Sequence, residues 1–443
     1  MKLTAIEIGS YYQFKDFKID FTSPQNNGEV GVPLKKICFI GQSGTGKTTL
    51  INLIQFAYLT VFSSDANCRI DNDYLRLYRI NFADSEFVKF SFGGEIHNHI
   101  PSSGKVTHHK ISFEAIFANN QTFTVQNIYI DGKTASKMEL FSIIGRPTIL
   151  HLNPYPKIIS YSAEPFPQTN PKVDSLVYIF DIVNAKKALD ITMNKIKEFK
   201  KREVNFRYQL AGKIKTKKSE ELNAEMEKWE LQNPNPAKEI AIDCLDDFLR
   251  NFQLKTETEM KDTNDLSLRF QNINSNSTIP WDNLPTGAKQ IIVSAIPLYS
   301  MKPENALIVF DEPERSLFPD LQQILVKYYT SFSDTSQYFF VTHSPIVASQ
   351  FQPEERFILK FDEQGYVKAK NGISPEGDDP NDLLSKDFNI HNLHIDEAAR
   401  SLKRYIELKG LIRVETDSYK KELFAKEFLT LGMKYNFGNE KNS

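Results

Sequence analysis

The sequence predicts an α/β fold in which helices flank a mixed β-sheet. An apolar run at residues 37–40 precedes a glycine-rich loop, and a helical pattern follows that loop from Thr49. Two further apolar runs, residues 306–310 and 337–341, each end in polar residues. Short, uninterrupted apolar runs of this kind are typical of strands that are buried on both faces of a sheet. We therefore interpret the three runs as core strands.

The glycine-rich loop matches the pattern G-x-x-x-x-G-K-[ST] at every fixed position, in the strand–loop–helix context that this pattern requires. Glycines let the backbone wrap closely around a polyphosphate, and the N–H groups at the start of a helix supply partial positive charge. Lys47 is expected to bridge the β- and γ-phosphates, and the Thr48 hydroxyl to bind Mg²⁺. The nucleotide-binding residues predicted here are Gly41, Gln42, Ser43, Gly44, Thr45, Gly46, Lys47, Thr48 and Thr49.

Composition narrows the class of protein. The 443 residues suffice for two or three domains, or for one large domain with insertions. Hydrophobic residues make up 40% and charged residues 25%, an ordinary balance for a globular protein. The formal net charge is −2, so any nucleic-acid contact requires a local basic patch. The three cysteines are far apart, which predicts neither a disulfide framework nor a zinc knuckle. Because no signal peptide or membrane-spanning stretch is evident, we expect a cytoplasmic protein without membrane contacts.

Two strands are predicted before the loop, at residues 3–8 and 14–21, with Gly9-Ser10 between them. The second alternates apolar with charged side chains, as a half-buried strand does. Residues 85–131 contain three β-rich runs separated by turn residues, and we interpret them as an antiparallel β-lobe. A proline-rich connector follows at residues 146–172.

The β-lobe carries a group of histidines. A turn at residues 102–104 is expected to place His97, His99 and His109 on one face. Imidazole nitrogens are common metal ligands, so this face is a candidate metal site. No cysteine or acidic cluster completes a ligand set, and a solvated hairpin is therefore the preferred interpretation.

The pattern from about residue 173 to 253 is helical and predicts an inserted lobe. It contains a basic run from Lys195 to Lys218, followed by an acidic segment. This run is a candidate for contacts with a nucleic-acid backbone or a partner. The alternative, a solvated helical surface, is favoured because Glu198 and Glu203 interrupt the run and few aromatic residues accompany it.

Three more motifs follow in the C-terminal half. Residues 283–290 read N-L-P-T-G-A-K-Q before a helix, residues 311–319 read D-E-P-E-R-S-L-F-P after an apolar strand, and T-H-S-P ends the next strand. A buried strand that ends in Asp311-Glu312 presents carboxylates at its C-terminal edge. Taken singly, Asp311-Glu312 could cap a helix and His343 could be a core histidine. In this order after the loop, the motifs indicate a nucleotide site.

Together these motifs resemble those of the ATP-binding-cassette (ABC) ATPases. The sequences D-E-P-E-x-x-L-x-P and T-H-S-P are similar to those of the branch shared by DNA-repair, SMC-like, OLD-like and phage-defence ATPases. Within it the chain resembles the stand-alone ATPases of bacterial antiphage systems of the Septu, retron or PARIS type. The resemblance covers residues 1–60 and 280–360. It implies an ABC-ATPase head that binds ATP and Mg²⁺ and hydrolyses ATP to ADP and phosphate.

The resemblance also implies a role for each matching residue. Asp311 would hold Mg²⁺ through water, Glu312 would polarise the attacking water, and His343 would contact the γ-phosphate. Lys47, Glu312 and His343 are thus the expected catalytic residues, and Thr48 and Asp311 the expected metal ligands. Phosphoryl transfer needs mainly positioning and charge neutralisation, which such groups supply.

Residues 284–290 resemble the signature loop that caps the ATP bound by a second subunit, with Thr286 and Gly287 as the expected contacts. Pro285 departs from the family's usual serine, and it offers neither a hydroxyl nor an N–H. The departure bears on the rate of hydrolysis more than on binding. Gln168 is a candidate, by position alone, for the glutamine that senses Mg²⁺ and the γ-phosphate in this family. The resemblance implies a head-to-tail homodimer around two ATPs.

The segment between Gly46 and Gly287 makes up more than half of the chain, whereas transporter ATPase subunits have a much shorter interval. This spacing favours the repair and defence ATPases. The predicted domains are an N-terminal half of the head at 1–172, a helical insertion at 173–275, a C-terminal half of the head at 276–360 and a helical tail at 361–443.

The tail begins with a predicted hairpin, and two helices are then expected over residues 394–434. A nuclease domain is disfavoured there, because too little chain remains for its strands. The segment instead resembles the tails of stand-alone defence ATPases, which dock a separate effector such as a nuclease or a retron reverse transcriptase with its RNA. The residues expected on one side of the helices are Leu402, Tyr405, Ile406, Leu408, Leu411 and Ile412.

The resemblance therefore predicts the sensor or switch ATPase of a bacterial antiphage complex, which controls a separate effector. Two alternatives stay open. One is a DNA-repair-type ATPase that acts on DNA ends, and the other is a scaffold that binds ATP without hydrolysing it.

Overall fold

The computed structural model describes residues 1–24, 31–63, 86–99, 106–118, 123–144, 158–162, 177–181, 185–258, 269–301, 303–388, 390, 396–435 and 437. The chain forms two compact units, Met1–Leu383 and Leu384–Ser443. Among the helices of the described ranges, none has the length and apolar character that a membrane span needs.

One mixed sheet of thirteen strands forms the first unit, and with its flanking helices it confirms the predicted α/β fold. From β15 to β9 neighbouring strands are parallel, and from β7 to β2 they are antiparallel. In spatial order the strands are β7 (Lys133–Thr134), β6 (Phe123–Ile130), β5 (Val106–Ala118), β4 (Phe87–His99), β1 (Lys2–Tyr11), β2 (Phe14–Asp20), β16 (Val367–Asn371), β15 (Arg356–Phe361), β3 (Lys36–Gly41), β14 (Gln337–Val341), β13 (Leu307–Asp311), β8 (Ile158–Ser162) and β9 (Val177–Asp181). The predicted β-lobe is therefore continuous with the core strands.

The helices of the first unit include the helix after the phosphate loop, an inserted helical region and the helix after the signature loop. Their bounds are α1 (Lys47–Ser63), α2 (Lys137–Ile144), α3 (Ala185–Gly212), α4 (Ser219–Gln232), α5 (Pro236–Ile240), α6 (Asp246–Leu249), α7 (Thr286–Met301), α8 (Pro319–Thr330), α9 (Pro345–Ala348) and α10 (Pro380–Lys386). A π-helical turn and short 3₁₀ turns occupy Ala241–Leu245, Arg250–Phe252, Trp281–Asn283 and Pro353–Glu355. A small antiparallel sheet precedes the signature loop, with strands β10 (Leu254–Glu257), β11 (Arg269–Asn272) and β12 (Thr278–Ile279).

Aromatic packing holds the core strands together. The buried ring of Phe21, just after β2, meets Phe39, Phe339 and Phe357 edge-on, with centroid separations of 6.1, 5.5 and 5.4 Å. Full burial of one such ring stabilises the fold by about 2–3 kcal/mol. Because its three neighbours lie on β3, β14 and β15, this cluster fixes the strands that carry the phosphate loop and the T-H-S-P segment.

A buried glutamine connects the core strands with the N-terminus. The amide of Gln337, at the start of β14, donates to the carbonyls of Leu3 and Leu34 at 2.9 and 3.0 Å. Its Oε1 accepts the Leu3 N–H at 2.8 Å and lies 3.3 Å from the Tyr58 hydroxyl of α1. A buried amide is stable only when its donors and acceptors are paired, and Gln337 meets that condition.

Two secondary-structure predictions for the first unit were wrong. The turn between the first two strands lies at Tyr12-Gln13, while Gly9 is inside β1. Gly9 is needed for close packing, because a Cβ there would lie 2.6 Å from the Phe87 ring. The segment from residue 173 was expected to be helical, but it contains β9, whose apolar run extends the parallel sheet beside β8.

The second unit contains an antiparallel pair of helices, α11 (Asp396–Val414) and α12 (Ser418–Tyr435), as predicted. Tyr405 stacks on Phe428 with ring centroids 4.1 Å apart, and Leu408 is fully buried. The prediction that the six apolar residues lie on one side was wrong for Ile406 and Leu411, which are 61% and 36% exposed whereas Leu408 is buried. The packed residues recur every three or four positions, whereas these two fall between them. The predicted domain boundaries stay predictions.

Candidate nucleotide-binding site

The candidate site lies where three parallel strands end side by side. The sheet order β3-β14-β13 pairs Phe39 with Val341 and Val341 with Asp311. The phosphate loop follows β3, the T-H-S-P segment follows β14 and Asp311 ends β13. In parallel sheets, ligands bind outside the carboxyl ends of the strands, so this edge is where a nucleotide is expected.

The glycines of the phosphate loop are required by its backbone. Gly41, Gly44 and Gly46 all have positive φ, at 147°, 84° and 80°. A Cβ on Gly46 would collide with the side-chain amide of Gln13 and with the Phe14 ring. The loop therefore passes directly beneath the turn between β1 and β2, and its shape depends on residues without side chains.

Lys47 lies at the start of α1 with its ammonium group folded onto the loop. Its Nζ donates to the carbonyls of Gly41 at 2.8 Å and Gln42 at 3.0 Å. Burial lowers the pKa of Lys47, and the nearby carboxylates of Asp311 and Glu312 act in the opposite direction. The loop carbonyls thus hold a positive charge next to the place that phosphates would occupy.

Thr48 and Asp311 meet although 263 positions separate them in the chain. The Thr48 hydroxyl donates to Asp311 Oδ2 at 3.2 Å, and both residues line the same cavity as Lys47. A hydroxyl and a carboxylate are oxygen donors of the type that Mg²⁺ takes together with substrate phosphates. The residues present therefore fit a Mg²⁺–nucleotide complex.

Glu312 and His343 form a second pair at this edge. His343 Nε2 is 3.6 Å from Glu312 Oε1. Glu312 has a left-handed backbone, with φ of 51°, and its N–H donates to the Val341 carbonyl at 2.9 Å. Such a conformation is uncommon for a residue with a side chain and recurs at functional sites. Burial and the charge of Lys47 lower the pKa of His343, while Glu312 raises it.

These groups surround one cavity of about 330 Å³. The structure brings together most of the predicted site residues there, together with Gln13 and Val341. Gly41, Gln42 and Thr45 belong to the loop but do not line the cavity. The lining residues are Gln13, Ser43, Gly44, Gly46, Lys47, Thr48, Thr49, Asp311, Glu312, Val341 and His343.

The signature residues lie elsewhere in the same chain. Thr286 and Gly287 begin α7 and are absent from the described lining of the cavity. A Cβ on Gly287 would lie 2.7 Å from the Ser316 carbonyl oxygen, so the start of α7 packs closely on the segment that follows Glu312. The Pro285 carbonyl accepts the Lys289 N–H at 3.0 Å. Pro285 therefore precedes the helix at a position where no intrahelical N–H is needed.

Besides Val341, the sequence analysis did not identify two residues of this region. Gln13 lines the cavity from the β1–β2 turn and reaches the Gly44 carbonyl at 3.5 Å. No sequence pattern marks it, because its position depends on how two distant segments meet. Glu314 accepts hydrogen bonds from the Thr342 hydroxyl and the His343 N–H. The D-E-P-E motif contains this residue, but the resemblance gave it no role. Gln168 lies outside the described residues.

The histidine prediction was wrong in register. Pairing of β4 with β5 places His97 opposite His108, and His109 opposite Ile96. His109 is therefore one residue out of step with His97 and His99, and its ring binds Asp131 at 2.9 Å. Across the described part of the chain, no group of three or more His, Cys, Asp or Glu residues is arranged to hold a metal ion.

The basic run of the helical lobe is partly neutralised. Lys200 and Arg207 both bind Glu203, each at 2.8 Å. Lys213 and Lys217 both bind Glu225, which lowers the pKa of that carboxyl to about 2. These pairs favour the interpretation of a solvated helical surface over a surface reserved for phosphates.

The fold and the loop place the chain among the P-loop nucleotide-binding proteins. The chain belongs to the AAA ATPase domain family, whose model matches residues 1–348. No curated protein matches the chain in sequence.

Among solved structures, the chain is similar to three Smc heads. One is the Smc head bound to the C-winged helix domain of ScpA, at 10% identity and a TM-score of 0.41, covering 84% of this chain and 97% of that one. The SMC head domain from Thermotoga maritima has 10% identity and a TM-score of 0.40, with 84% and 100% covered. An Smc head with an extended coiled coil, bound to the C-terminal domain of ScpA derived from Pyrococcus furiosus, has 14% identity and a TM-score of 0.37, with 83% and 96% covered. These distant similarities carry no functional argument.

Proposed function

We propose that the protein binds and hydrolyses ATP with Mg²⁺, and that it acts as the switch subunit of a bacterial antiphage complex that controls a separate effector. The observation that carries the ATPase part is the convergence of Lys47, Thr48, Asp311, Glu312 and His343 on one cavity. This set contains a cation for the phosphates, oxygen ligands for a metal, and a carboxylate beside an imidazole.

Each residue has a defined task in this proposal. Lys47 binds the β- and γ-phosphates, and Thr48 and Asp311 hold Mg²⁺, which neutralises charge on the phosphates when bound. Glu312 accepts a hydrogen bond from the attacking water and orients it. His343, whose lowered pKa favours the neutral imidazole at pH 7, contacts the γ-phosphate without adding a full charge.

We also propose that the active form is a head-to-tail homodimer. The described lining of the cavity contains neither Thr286 nor Gly287. A second subunit would supply these two residues over the γ-phosphate and so complete the enclosure of the nucleotide. ATP would then favour the associated state, because it binds that state more tightly than the separated one.

The effector role is proposed for the tail. The outer side of α12 carries four exposed apolar residues, opposite the side that packs on α11. At 3.6 residues per turn the four positions span an arc of about 120°, so these side chains form a broad stripe on one side of the helix. We name this stripe the tail face; it consists of Tyr419, Leu423, Leu429 and Met433. A separate nuclease, or a reverse transcriptase with its RNA, would dock there.

The DNA-repair alternative is less well supported, because Glu203 and Glu225 occupy four cations of the basic run. The scaffold alternative rests on Pro285, which lacks the hydroxyl and N–H of the usual serine. Strong stimulation of hydrolysis by DNA alone would favour the first alternative. Absence of turnover with every partner present would favour the second.

The experiment is to purify the Glu312→Gln protein from its native host with ATP and Mg²⁺, and to identify what accompanies it. A nuclease, or a reverse transcriptase with RNA, supports the proposal if its recovery is lost in Met433→Glu but kept in the matched control Lys420→Glu. DNA without a protein partner would contradict the effector role. The proposed dimer is tested separately with purified Glu312→Gln protein. ATP should double its mass in solution, and the same experiment on Lys47→Met should show no increase.

A further inference from the structure

Glu314 is an acidic residue next to the site, and the proposed mechanism gives it no task. Its Oε1 accepts two hydrogen bonds, from the Thr342 hydroxyl at 2.6 Å and from the His343 N–H at 3.0 Å. The Thr342 hydroxyl oxygen accepts the Ser344 N–H at 2.9 Å, and its own hydrogen is thus directed to Glu314. The carboxyl group therefore binds the backbone of the segment that carries the His343 ring.

Two further contacts fix the segment that contains Glu314. The Glu312 N–H donates to the Val341 carbonyl at 2.9 Å. The Pro313 carbonyl accepts a hydrogen bond from the amide of Gln290, which is fully buried in α7. Residues 312–314 are thus held by the end of β14 on one side and by α7 on the other. Glu314 extends from this fixed support to the histidine segment.

The second carboxylate oxygen of Glu314 has a different environment. Oε2 is buried, and no hydrogen-bond partner for it occurs among the described residues. Burial raises the pKa of Glu314, the hydrogen bonds from Thr342 and His343 lower it, and the neighbouring carboxylate of Glu312 raises it. A buried oxygen without a donor stabilises a neutral group better than a charged one. The contact with the histidine segment needs only the acceptor at Oε1.

We propose that Glu314 is a positioning residue for ATP hydrolysis, which holds Thr342 and the His343 backbone so that the imidazole stays beside Glu312. The inference rests on the proposed ATPase activity. It requires an acceptor oxygen at the end of this side chain and no negative charge. An amide can therefore replace the carboxyl group of Glu314, whereas the task proposed for Glu312 requires a carboxylate.

The kinetic test compares Glu314→Ala and Glu314→Gln. A misplacement of about 1 Å at a reacting group can lower a rate roughly 100-fold, so we expect Glu314→Ala to lower kcat roughly 10- to 100-fold with KM changed by less than about threefold. Glu314→Gln keeps the acceptor oxygen and is expected to restore kcat to within about threefold of the wild type. A wild-type kcat in Glu314→Ala, or an equal loss in both variants, would overturn the proposal.

Glu355→Ala is the matched control. Glu355 is, like Glu314, a partly buried glutamate whose pKa is raised by burial, and it accepts the Gln352 N–H at 2.8 Å and contacts Lys36 at 3.3 Å. None of these residues lines the nucleotide cavity. We expect its kcat to match the wild type. Thermal unfolding of every variant separates a lost contact from a lost fold.

A second measurement does not depend on hydrolysis. NMR of protein with ¹³C-labelled histidine, titrated without nucleotide, reports the pKa of His343, whose signal is assigned with His343→Asn. Lys47 and Glu312 are the charged groups that act on this ring. If Glu314→Ala frees the ring, its pKa rises toward the usual 6.5, whereas Glu314→Gln leaves it unchanged. An unchanged pKa of His343 in Glu314→Ala would refute the positioning role. Absence of ATP hydrolysis by the wild-type protein would instead refute only the proposed ATPase activity.

Discussion

The Nε2 atom of His343 lies 3.6 Å from Oε1 of Glu312. The two residues follow β14 and β13, which are adjacent parallel strands, and the Glu312 N–H is bound to the Val341 carbonyl. Their separation is therefore set by the spacing of two core strands. In the proposed mechanism, a pair built in this way needs little ordering when substrate arrives.

The electrostatic environment of His343 can be tested by removing its neighbours one at a time. Lys47 lowers the pKa of His343 and Glu312 raises it. We therefore expect Lys47→Met to raise the pKa and Glu312→Gln to lower it further. NMR titration of the labelled ring in the nucleotide-free protein measures both shifts. Lys36→Met serves as the control, since Lys36 binds Glu355 and Glu376 away from the cavity. Shifts in the same direction for both site variants would contradict this arrangement.

The proposed metal role of Asp311 predicts a specific loss in Asp311→Asn. Without Mg²⁺ the variant should bind ATP at least as tightly as the wild type, because one negative charge near the phosphates is gone. Adding Mg²⁺ should raise the ATP affinity of the wild type, and it should raise the ATP affinity of Asp311→Asn much less. Calorimetric titrations with and without EDTA measure the difference. Asp334→Asn, which changes an exposed partner of Lys35, should behave as the wild type. An undiminished Mg²⁺ effect in Asp311→Asn would rule out this metal ligand.

The close approach at Gly46 predicts a difference between two glycine substitutions. Gly46 and Gly365 have similar backbones, with φ of 80° and 83°, so an alanine at either position carries a strain of about 1–2 kcal/mol. Only at Gly46 would the new Cβ collide, with Gln13 and Phe14, since nothing lies within 4 Å at Gly365. We expect ATP binding to weaken roughly tenfold or more in Gly46→Ala and to remain normal in Gly365→Ala. Equal ATP affinities in the two variants would contradict this prediction, because they would show that Gln13 and Phe14 can move aside for the new methyl group.

The signature loop predicts a gain of activity in Pro285→Ser. A serine adds a hydroxyl and an N–H, and one hydrogen bond to a charged phosphate contributes about 1.5 kcal/mol, or roughly tenfold in rate. The rate should rise at protein concentrations that allow dimers, with the ATP affinity of the separate subunit unchanged. Pro285→Ala restores the N–H alone and divides the effect into its two parts. If neither variant hydrolyses ATP faster than the wild type, the loop takes no part in the reaction as proposed.

The features that the sequence could predict depend on residues that are close together in the chain. The phosphate loop, the core strands and the helical hairpin follow from local patterns, and the structure contains all three. Asp311, Glu312 and His343 share one cavity because parallel strands end at a common edge, which motif order implies. The resemblance of residues 284–290 to a signature loop follows from pattern, but the close approach of Gly287 to Ser316 within the same chain does not.

The errors have a common physical origin, since each depends on contacts between distant segments. Gly9 appeared to be a turn residue, whereas its lack of a Cβ allows the Phe87 ring to pack. His109 was assigned to the wrong face because a shift of one residue in strand register reverses every side chain. Gln13 could not be recognised, because the proximity of its turn to Gly46 arises only in the folded sheet.

The continuity of the thirteen-stranded sheet has a mechanical consequence. The antiparallel strands β4 to β7 are hydrogen-bonded through β1 to β2, and the turn between β1 and β2 touches the phosphate loop. The outer hairpin and the turn that approaches Gly46 are thus joined by an unbroken series of hydrogen-bonded strands. The nucleotide cavity and the outermost antiparallel strands therefore share one continuous sheet within the first unit.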